Sequence, residues 1–181
     1  LSAHARAAIL QKVSSLFRER LEEAARIVAQ EAAKPLKTAR TEIMRTIQTY
    51  QFAAEEAKRI GGEVIPLDAA AGGEGRLAYT KREPIGVIGA ITPFNFPMNL
   101  VAHKVGPAIA SGNTVVLKPA SQTPLSAFFL AEVMEEAGLP PGALNVVTGS
   151  GKTVGEQLVR DSRIAMITFT GSPPVGIGIK E

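Results

Sequence analysis

The sequence predicts an α/β fold, a doubly wound parallel sheet with flanking helices, preceded by a pair of amphipathic helices. Three observations predict it. Four short apolar runs, residues 86–91, 114–117, 144–148 and 165–169, are too continuous for half-solvated strands and read as strands buried on both faces. Helix-like stretches over 97–110, 124–136 and 152–160 separate them, at about 25–30 residues per strand–helix unit. Residues before 61 carry a helical rather than an alternating apolar pattern.

The elements follow in order. Residues 2 to about 33 read as one helix, with Ile9, Val13, Leu16, Leu21, Ala24 and Val28 on one face and Lys12, Arg20, Glu23 and Arg26 on the other. Pro35 interrupts it. A second helix is expected from about 38 to 60, with Ile43, Ile47, Tyr50, Ala54 and Ala57 on its apolar stripe and Gly61-Gly62 at its end. Glu22–Arg26 and Glu55–Arg59 stand at i,i+4 spacing, each pair worth about 0.2–0.5 kcal/mol. Residues 63–75 turn to Gly, Ala and Pro and read as a loop; 77–82 alternates enough for a strand. Residues 1–75 are thus expected to form a helical segment and loop, with no chemistry of their own, and 76–181 a sheet domain.

Composition excludes several function classes. The 181 residues include no cysteine, so the chain has no disulfide, no cysteine-ligated metal and no thiol nucleophile. His4 and His103 lie far apart in sequence, and no metal site is expected. No apolar run approaches the about 20 residues that a bilayer span needs. Lys plus Arg exceed Asp plus Glu by 20 to 17, but the basic residues alternate with acids around helices, so neither nucleic acid nor membrane is an expected partner. No secretory signal pattern is visible, and a cytoplasmic location is expected. Leu1 stands inside a helical pattern, which suggests an excerpt of a longer polypeptide.

In such a sheet ligands bind beyond the carboxyl ends of the strands, so the residues just after each run are the candidate site. Thr92-Pro93-Phe94-Asn95-Phe96-Pro97 follows the first run. Its amide could donate to an oxyanion; the ordinary alternative is an Asn that satisfies loop backbone groups. Lys118-Pro119-Ala120-Ser121 closes the second, with a lysine able to reach a ribose or phosphate, or simply to be a surface lysine. Gly149-Ser150-Gly151-Lys152-Thr153-Val154-Gly155 follows the third. It fails as a G-x-G-x-x-G fingerprint because the third glycine comes one residue late. It fails as a P-loop because Val146 stands where the opening glycine belongs and no Asp follows the next run. Phe169-Thr170-Gly171-Ser172-Pro173-Pro174 follows the fourth, where a helix N-terminus could meet a phosphate or could be no more than a capped helix.

Together and in this order, these motifs and Glu83-Pro84-Ile85-Gly86-Val87-Ile88 resemble the aldehyde dehydrogenase superfamily over essentially the whole chain. Glu31-Ala32-Ala33-Lys34-Pro35 looks like part of its N-terminal helices. The details lean toward the lactaldehyde, succinate-semialdehyde and non-phosphorylating glyceraldehyde-3-phosphate dehydrogenase branch. The resemblance implies a Rossmann-like domain of an incomplete aldehyde dehydrogenase fold, and oxidation of a small aldehyde to an acid with NADP or NAD. In that chemistry a cysteine attacks the carbonyl and a glutamate activates the water that releases the acid. Neither residue is matched here, so a chain inactive by itself is expected, with a homo-oligomeric (dimeric or tetrameric) parent. The alternative is a degenerate, non-catalytic nucleotide-binding module.

By the same resemblance Asn95 is the oxyanion donor, and Thr92, Pro93 and Phe94 line the passage to the nicotinamide. Lys118 hydrogen-bonds the adenosine ribose, Ser172 meets the pyrophosphate, Val175 packs on the adenine, and Gly171 and Gly176 form a G-x-x-x-x-G. Ile91, Ala120, Gly151, Gly155, Phe169 and Thr170 complete the implied cofactor surface. Ser121 stands where NAD-preferring members often carry a glutamate. Without that charge, NADP is expected to be used alone or alongside NAD.

Overall fold

A computed structural model describes residues 1–180; Glu181, the last residue of the expected 76–181 unit, lies outside the described residues. The chain opens with α1 (Ala3–Glu19), whose N-terminus is capped by the Ser2 hydroxyl accepting from the Ala5 amide at 3.1 Å. The single long helix expected over 2–33 is in fact two. At Arg20 the backbone leaves the helical region (φ −99°, ψ 25°), and α2 (Leu21–Glu31) starts in a new direction. The guanidinium of Arg20 explains why the break is tolerated. It bonds Glu23 at 2.8 Å, and it reaches Glu132 and Glu136 of a later helix at 2.7 and 3.3 Å.

Ala33 turns the chain at φ 49°, and α3 (Leu36–Glu56) follows Pro35. Helix α3 stops four residues earlier than expected, yet its stripe of Ile43, Ile47, Tyr50, Ala54 and Ala57 is buried as the spacing predicts. The two local ion pairs do not form as expected: Glu22 pairs with Arg40 across helices, and Arg59 with Glu56 one position closer.

Two-residue strands β1 (Val64–Ile65) and β2 (Ala78–Tyr79) pair antiparallel, with a short 3-10 turn (Leu67–Ala69) after β1. The loop expected over 63–75 therefore contains one of these strands, and the strand expected over 77–82 shrinks to two residues. Neither strand is buried, so nothing packs beneath them to extend the ladder.

The sheet domain then alternates as predicted: β3 (Val87–Ile91), α4 (Asn99–Ala110), β4 (Thr114–Lys118), α5 (Leu125–Glu136), β5 (Leu144–Val146), α6 (Glu156–Arg160), β6 (Ile164–Phe169) and α7 (Pro173–Lys180). A π-helical turn (Gly151–Gly155) leads into α6. The strands are all parallel in the order β5-β4-β3-β6. Ile91 pairs in register with both Lys118 and Phe169, which brings three strand ends level. Burial on both faces holds for much of β3 and β4. It fails for the edge strands β5 and β6, where Asn145, Ala165 and Met166 are exposed, because each edge has a neighbour on one side only.

One buried cluster joins α1–α3 to α4, α5, β3 and β4. At its centre the Phe17 and Tyr50 rings stack at 5.9 Å, and Phe129 of α5 meets Phe17 edge-on at 5.8 Å. The N-terminal helices also cap the helices of the sheet. The Glu31 carboxylate accepts from the Leu125 and Ser126 amides at 2.8 and 2.9 Å, and from the Ser126 hydroxyl. Glu42 does the same for α4, accepting from the Met98 and Asn99 amides at 2.9 and 3.1 Å.

Candidate functional site

The strand order reverses at β3, with β4 on one side and β6 on the other, so a crevice is expected beyond their carboxyl ends. Backbone hydrogen bonds fasten those ends together. The Thr92 amide donates to the Lys118 carbonyl at 3.2 Å, and the Thr170 amide donates to the Ile91 carbonyl at 3.1 Å. A cleft of about 430 Å³ opens there between β3, β4, the π-helical turn, α6 and α7.

Five residues singled out in the sequence line it, from four separate segments: Ile91, Lys118, Gly151, Gly155 and Val175. Lys118 is buried, and its Nζ donates only to the Pro119 carbonyl, at 3.2 Å, among the described residues. Desolvation holds its ammonium below the ordinary lysine value. A Cβ on Gly155 would meet the Lys118 Cδ and Cε at 3.8 Å, an ordinary van der Waals distance, so Gly155 and the lysine stem lie side by side in the cleft wall. Lys152, read only within the rejected P-loop match, also lines the cleft, as do Glu156, Val159 and Arg160, which were not singled out. Their only sequence signal was membership of a helix-like stretch.

The remaining candidates surround the cleft without lining it. Ser121 is exposed, and its Oγ donates to the Gly149 carbonyl at 3.1 Å; Ala120 precedes it, half-buried. Gly149 has φ +150°, and a Cβ there would come within 2.4 Å of the Val154 Cγ2. The turn that holds Ser121 therefore requires glycine. Phe169 folds its ring back over the next turn: a Cβ on Gly171 would lie 2.4 Å from its Cζ, and one on Gly176 3.3 Å from its Cε1. The two glycines make room for that ring. The Ser172 carbonyl accepts from the Gly176 amide at 3.1 Å in the first turn of α7.

In the loop after β3, Pro93 is half-buried and Phe94 exposed. Thr92 is buried, and its hydroxyl has no partner among the described residues. Asn95 is exposed; its carbonyl accepts from Lys34 Nζ at 2.6 Å, while its side-chain amide joins no hydrogen bond among the described residues. Lys104 of α4 went unnoticed in the sequence. It is buried, donates to the Thr170 hydroxyl at 2.6 Å, and is held below the ordinary lysine value by that burial. A lone cation on an apolar helical stretch was the available signal. The neighbouring His103 is exposed on α4.

Two larger hollows, of about 1160 and 720 Å³, lie against β6 and beneath α6; neither touches Lys118 or Ile91. Among the described residues no group of three or more His, Cys, Asp or Glu could hold a metal ion, and no helix is long and apolar enough to cross a membrane.

The sequence matches the aldehyde dehydrogenase family profile across residues 1–181. It is 53% identical over 175 residues to the 3-sulfolactaldehyde dehydrogenase of Priestia aryabhattai, covering 97% of this chain and 37% of the relative. It is 46% identical to the lactaldehyde dehydrogenase of Methanocaldococcus jannaschii, covering 93% and 36%. Among solved structures, glyceraldehyde-3-phosphate dehydrogenase GapN of M. jannaschii complexed with NADP superposes with a TM-score of 0.92 at 44% identity, over 99% of this chain and 39% of the other. The NADP-dependent glyceraldehyde-3-phosphate dehydrogenase of Bacillus halodurans complexed with NADP gives 0.95 at 42%, over 99% and 38%. The chain thus spans a little over a third of the length of these relatives. With a fold, a strand-end cleft and a sequence that all agree, the chain belongs to the aldehyde dehydrogenase family.

Proposed function

We propose that this chain forms the dinucleotide-binding part of an enzyme that oxidises a small aldehyde to a carboxylic acid with NADP or NAD. One observation carries the reading. Ile91, Lys118, Gly151, Gly155 and Val175, distant in sequence, meet in one cleft at the strand ends. The residues suit such a guest: among the described residues, a buried ammonium bound only to a neighbouring carbonyl, and a buried hydroxyl on Thr92 with no partner. The bound nicotinamide supplies the hydride acceptor.

The chain's own residues divide the remaining work. Lys118 donates to an adenosine ribose hydroxyl, and Val175 offers an apolar wall to the adenine. Ala120 and Ser121 border the ribose. The positive end of α7, whose first two residues Pro173 and Pro174 have no N–H to offer, receives the pyrophosphate together with Ser172. Ile91, Thr92, Pro93 and Phe94 lead toward the nicotinamide, with Phe169 at the end of β6 and Thr170 just after it alongside them. Asn95 donates its amide to the oxyanion of the tetrahedral intermediate, a contribution of about 3–4 kcal/mol to the transition state. The sulfolactaldehyde, lactaldehyde and glyceraldehyde-3-phosphate named for the relatives all carry a hydroxyl beside the aldehyde, which makes short 2-hydroxyaldehydes the substrate class to test first.

These 181 residues include no cysteine, so the chain alone supplies no thiol to attack a carbonyl. We infer that it binds the dinucleotide yet turns over no aldehyde, that residues 1–75 serve as a helical support for the 76–181 cofactor domain, and that the working enzyme is a cytoplasmic homo-oligomer. Calorimetric titration of the 181-residue chain tests the reading: NADP binds, and Lys118→Ala weakens it about tenfold, as expected for a lost charge-assisted hydrogen bond. Absence of any dinucleotide binding, or NADPH formation by the chain from lactaldehyde, overturns it.

A further inference from the structure

The oxyanion reading of Asn95 raises the question of what aims its amide. The Asn95 side chain makes no hydrogen bond among the described residues, so its direction depends on the backbone beneath it. That backbone is held from outside the sheet. Lys34, in the connection between α2 and α3, donates to the Asn95 carbonyl at 2.6 Å and to Glu42 Oε2 at 2.7 Å. Its Nζ also lies 4.6 Å from the centroid of the Phe96 ring. Glu42 Oε1 in turn accepts from the Met98 and Asn99 amides. The Glu42 side chain has no exposure and that of Lys34 only 12%.

A buried ion pair is a poor way to gain stability, because desolvating both charges offsets their attraction. A local Ser or Asn would cap α4 without one. What the pair adds is placement: Lys34 fastens residue 95 and Glu42 fastens residues 98 and 99, so the turn carrying Asn95 is gripped on both sides. Freeing the Asn95 carbonyl removes the contact that fixes ψ at residue 95, so the turn that carries the side chain samples a wider range of positions.

We propose that Lys34 and Glu42 are positioning residues for the Asn95 amide. The inference rests on the oxyanion role assigned to Asn95. It is tested locally by backbone relaxation in the 15N-labelled 181-residue chain. Lys34→Met lowers the order parameters of Asn95 and Phe96 from about 0.85 to below about 0.6, while the amides of α4, still capped by Glu42, keep theirs. Unchanged order at Asn95 overturns the proposal.

The functional arm uses an active dehydrogenase containing this segment. Asn95→Ala costs about 10²–10³ in kcat. Lys34→Met and Glu42→Gln each cost at least about tenfold in kcat, with the dissociation constant of NADP within twofold and the melting transition intact. In the Asn95→Ala background, Lys34→Met costs less than twofold more. Equal losses in both backgrounds mean general damage, and no loss in either means no positioning; both overturn the inference while leaving the Asn95 role standing. An Asn95→Ala enzyme with unchanged kcat overturns the oxyanion reading and the inference with it.

Discussion

Ser121 stands at the rim of the strand-end cleft, exposed, with its Oγ tied to the Gly149 carbonyl. A neutral hydroxyl there neither repels a 2′-phosphate nor competes for the buried Lys118 ammonium. Ser121→Glu places a carboxylate at the rim, and repulsion between like charges predicts at least about a tenfold loss of NADP affinity with NAD affinity retained. Parallel calorimetric titrations check it, and wild-type protein that binds NAD tenfold more tightly than NADP contradicts the premise. Gly149 sets the position of that rim. Its φ of +150° and the Val154 methyl at 2.4 Å from a built Cβ predict that Gly149→Ala costs about 1–3 kcal/mol of stability, readable by urea unfolding. His103 supplies a pH signature. Partial burial, then the charges of Arg45 and Lys104, pull its imidazole below the ordinary value of 6.5. The unfolded chain therefore binds this proton more readily. Stability from this group is full above about pH 6.5 and is lost as pH falls through the lowered value. Unfolding midpoints measured between pH 7.5 and 5 should fall less steeply for His103→Gln than for the wild type.

At the scale of elements, the parallel strands were legible because buried apolar runs bounded by Gly, Pro and Asn leave few other readings. The helical stripe of α3 was legible for the same reason, its apolar period. What stayed hidden depends on residues distant in sequence. The break at Arg20 is stabilised by Glu132 and Glu136, more than 100 positions away, and no local rule marks it. Glu22–Arg26 gave way to Arg40, which helix packing brings beside Glu22, and Glu55–Arg59 gave way to Glu56, because α3 ends at Glu56 and Arg59 lies beyond its regular turns. The site divides in the same way. Lys118 and the glycines follow strand ends and could be named in advance, whereas Lys104, Arg160 and the Lys34–Glu42 pair enter only when helices dock. Glu31 illustrates the energetic consequence. Its carboxylate satisfies two amides at the start of α5 across more than 90 residues of sequence. Glu31→Ala leaves those donors without their partner and predicts a loss of about 1–2 kcal/mol, at the upper end for an N-terminal cap, measurable as a lower denaturant midpoint.

The whole molecule has one well-covered side and one that is not. The buried cluster lies where α1–α3, α4 and α5 pack on β3 and β4. On the other side, β6 ends the sheet with Met166 exposed, and the β1–β2 ribbon carries Val64, Leu77 and Tyr79 at 70% exposure or more. Neither region carries charged side chains to keep a second copy away. The ribbon strands are only Val64–Ile65 and Ala78–Tyr79, with apolar rather than charged side chains, and β6 has no charged residue among Ile164–Phe169. Area taken from water at these residues on association returns roughly 25 cal/mol per Å². Like-charge repulsion does little to oppose it, because the net charge is only +3. The 181-residue chain should therefore self-associate at micromolar concentration, giving a light-scattering mass well above 19.0 kDa after size exclusion. Two variants separate the possible surfaces. Met166→Lys charges the free edge of β6, and Leu77→Glu with Tyr79→Glu charges the ribbon; whichever shifts the mass toward the monomer identifies the surface through which copies meet. A monodisperse wild-type monomer across that range means that these apolar groups are accommodated by the monomer itself, and the expectation of association fails.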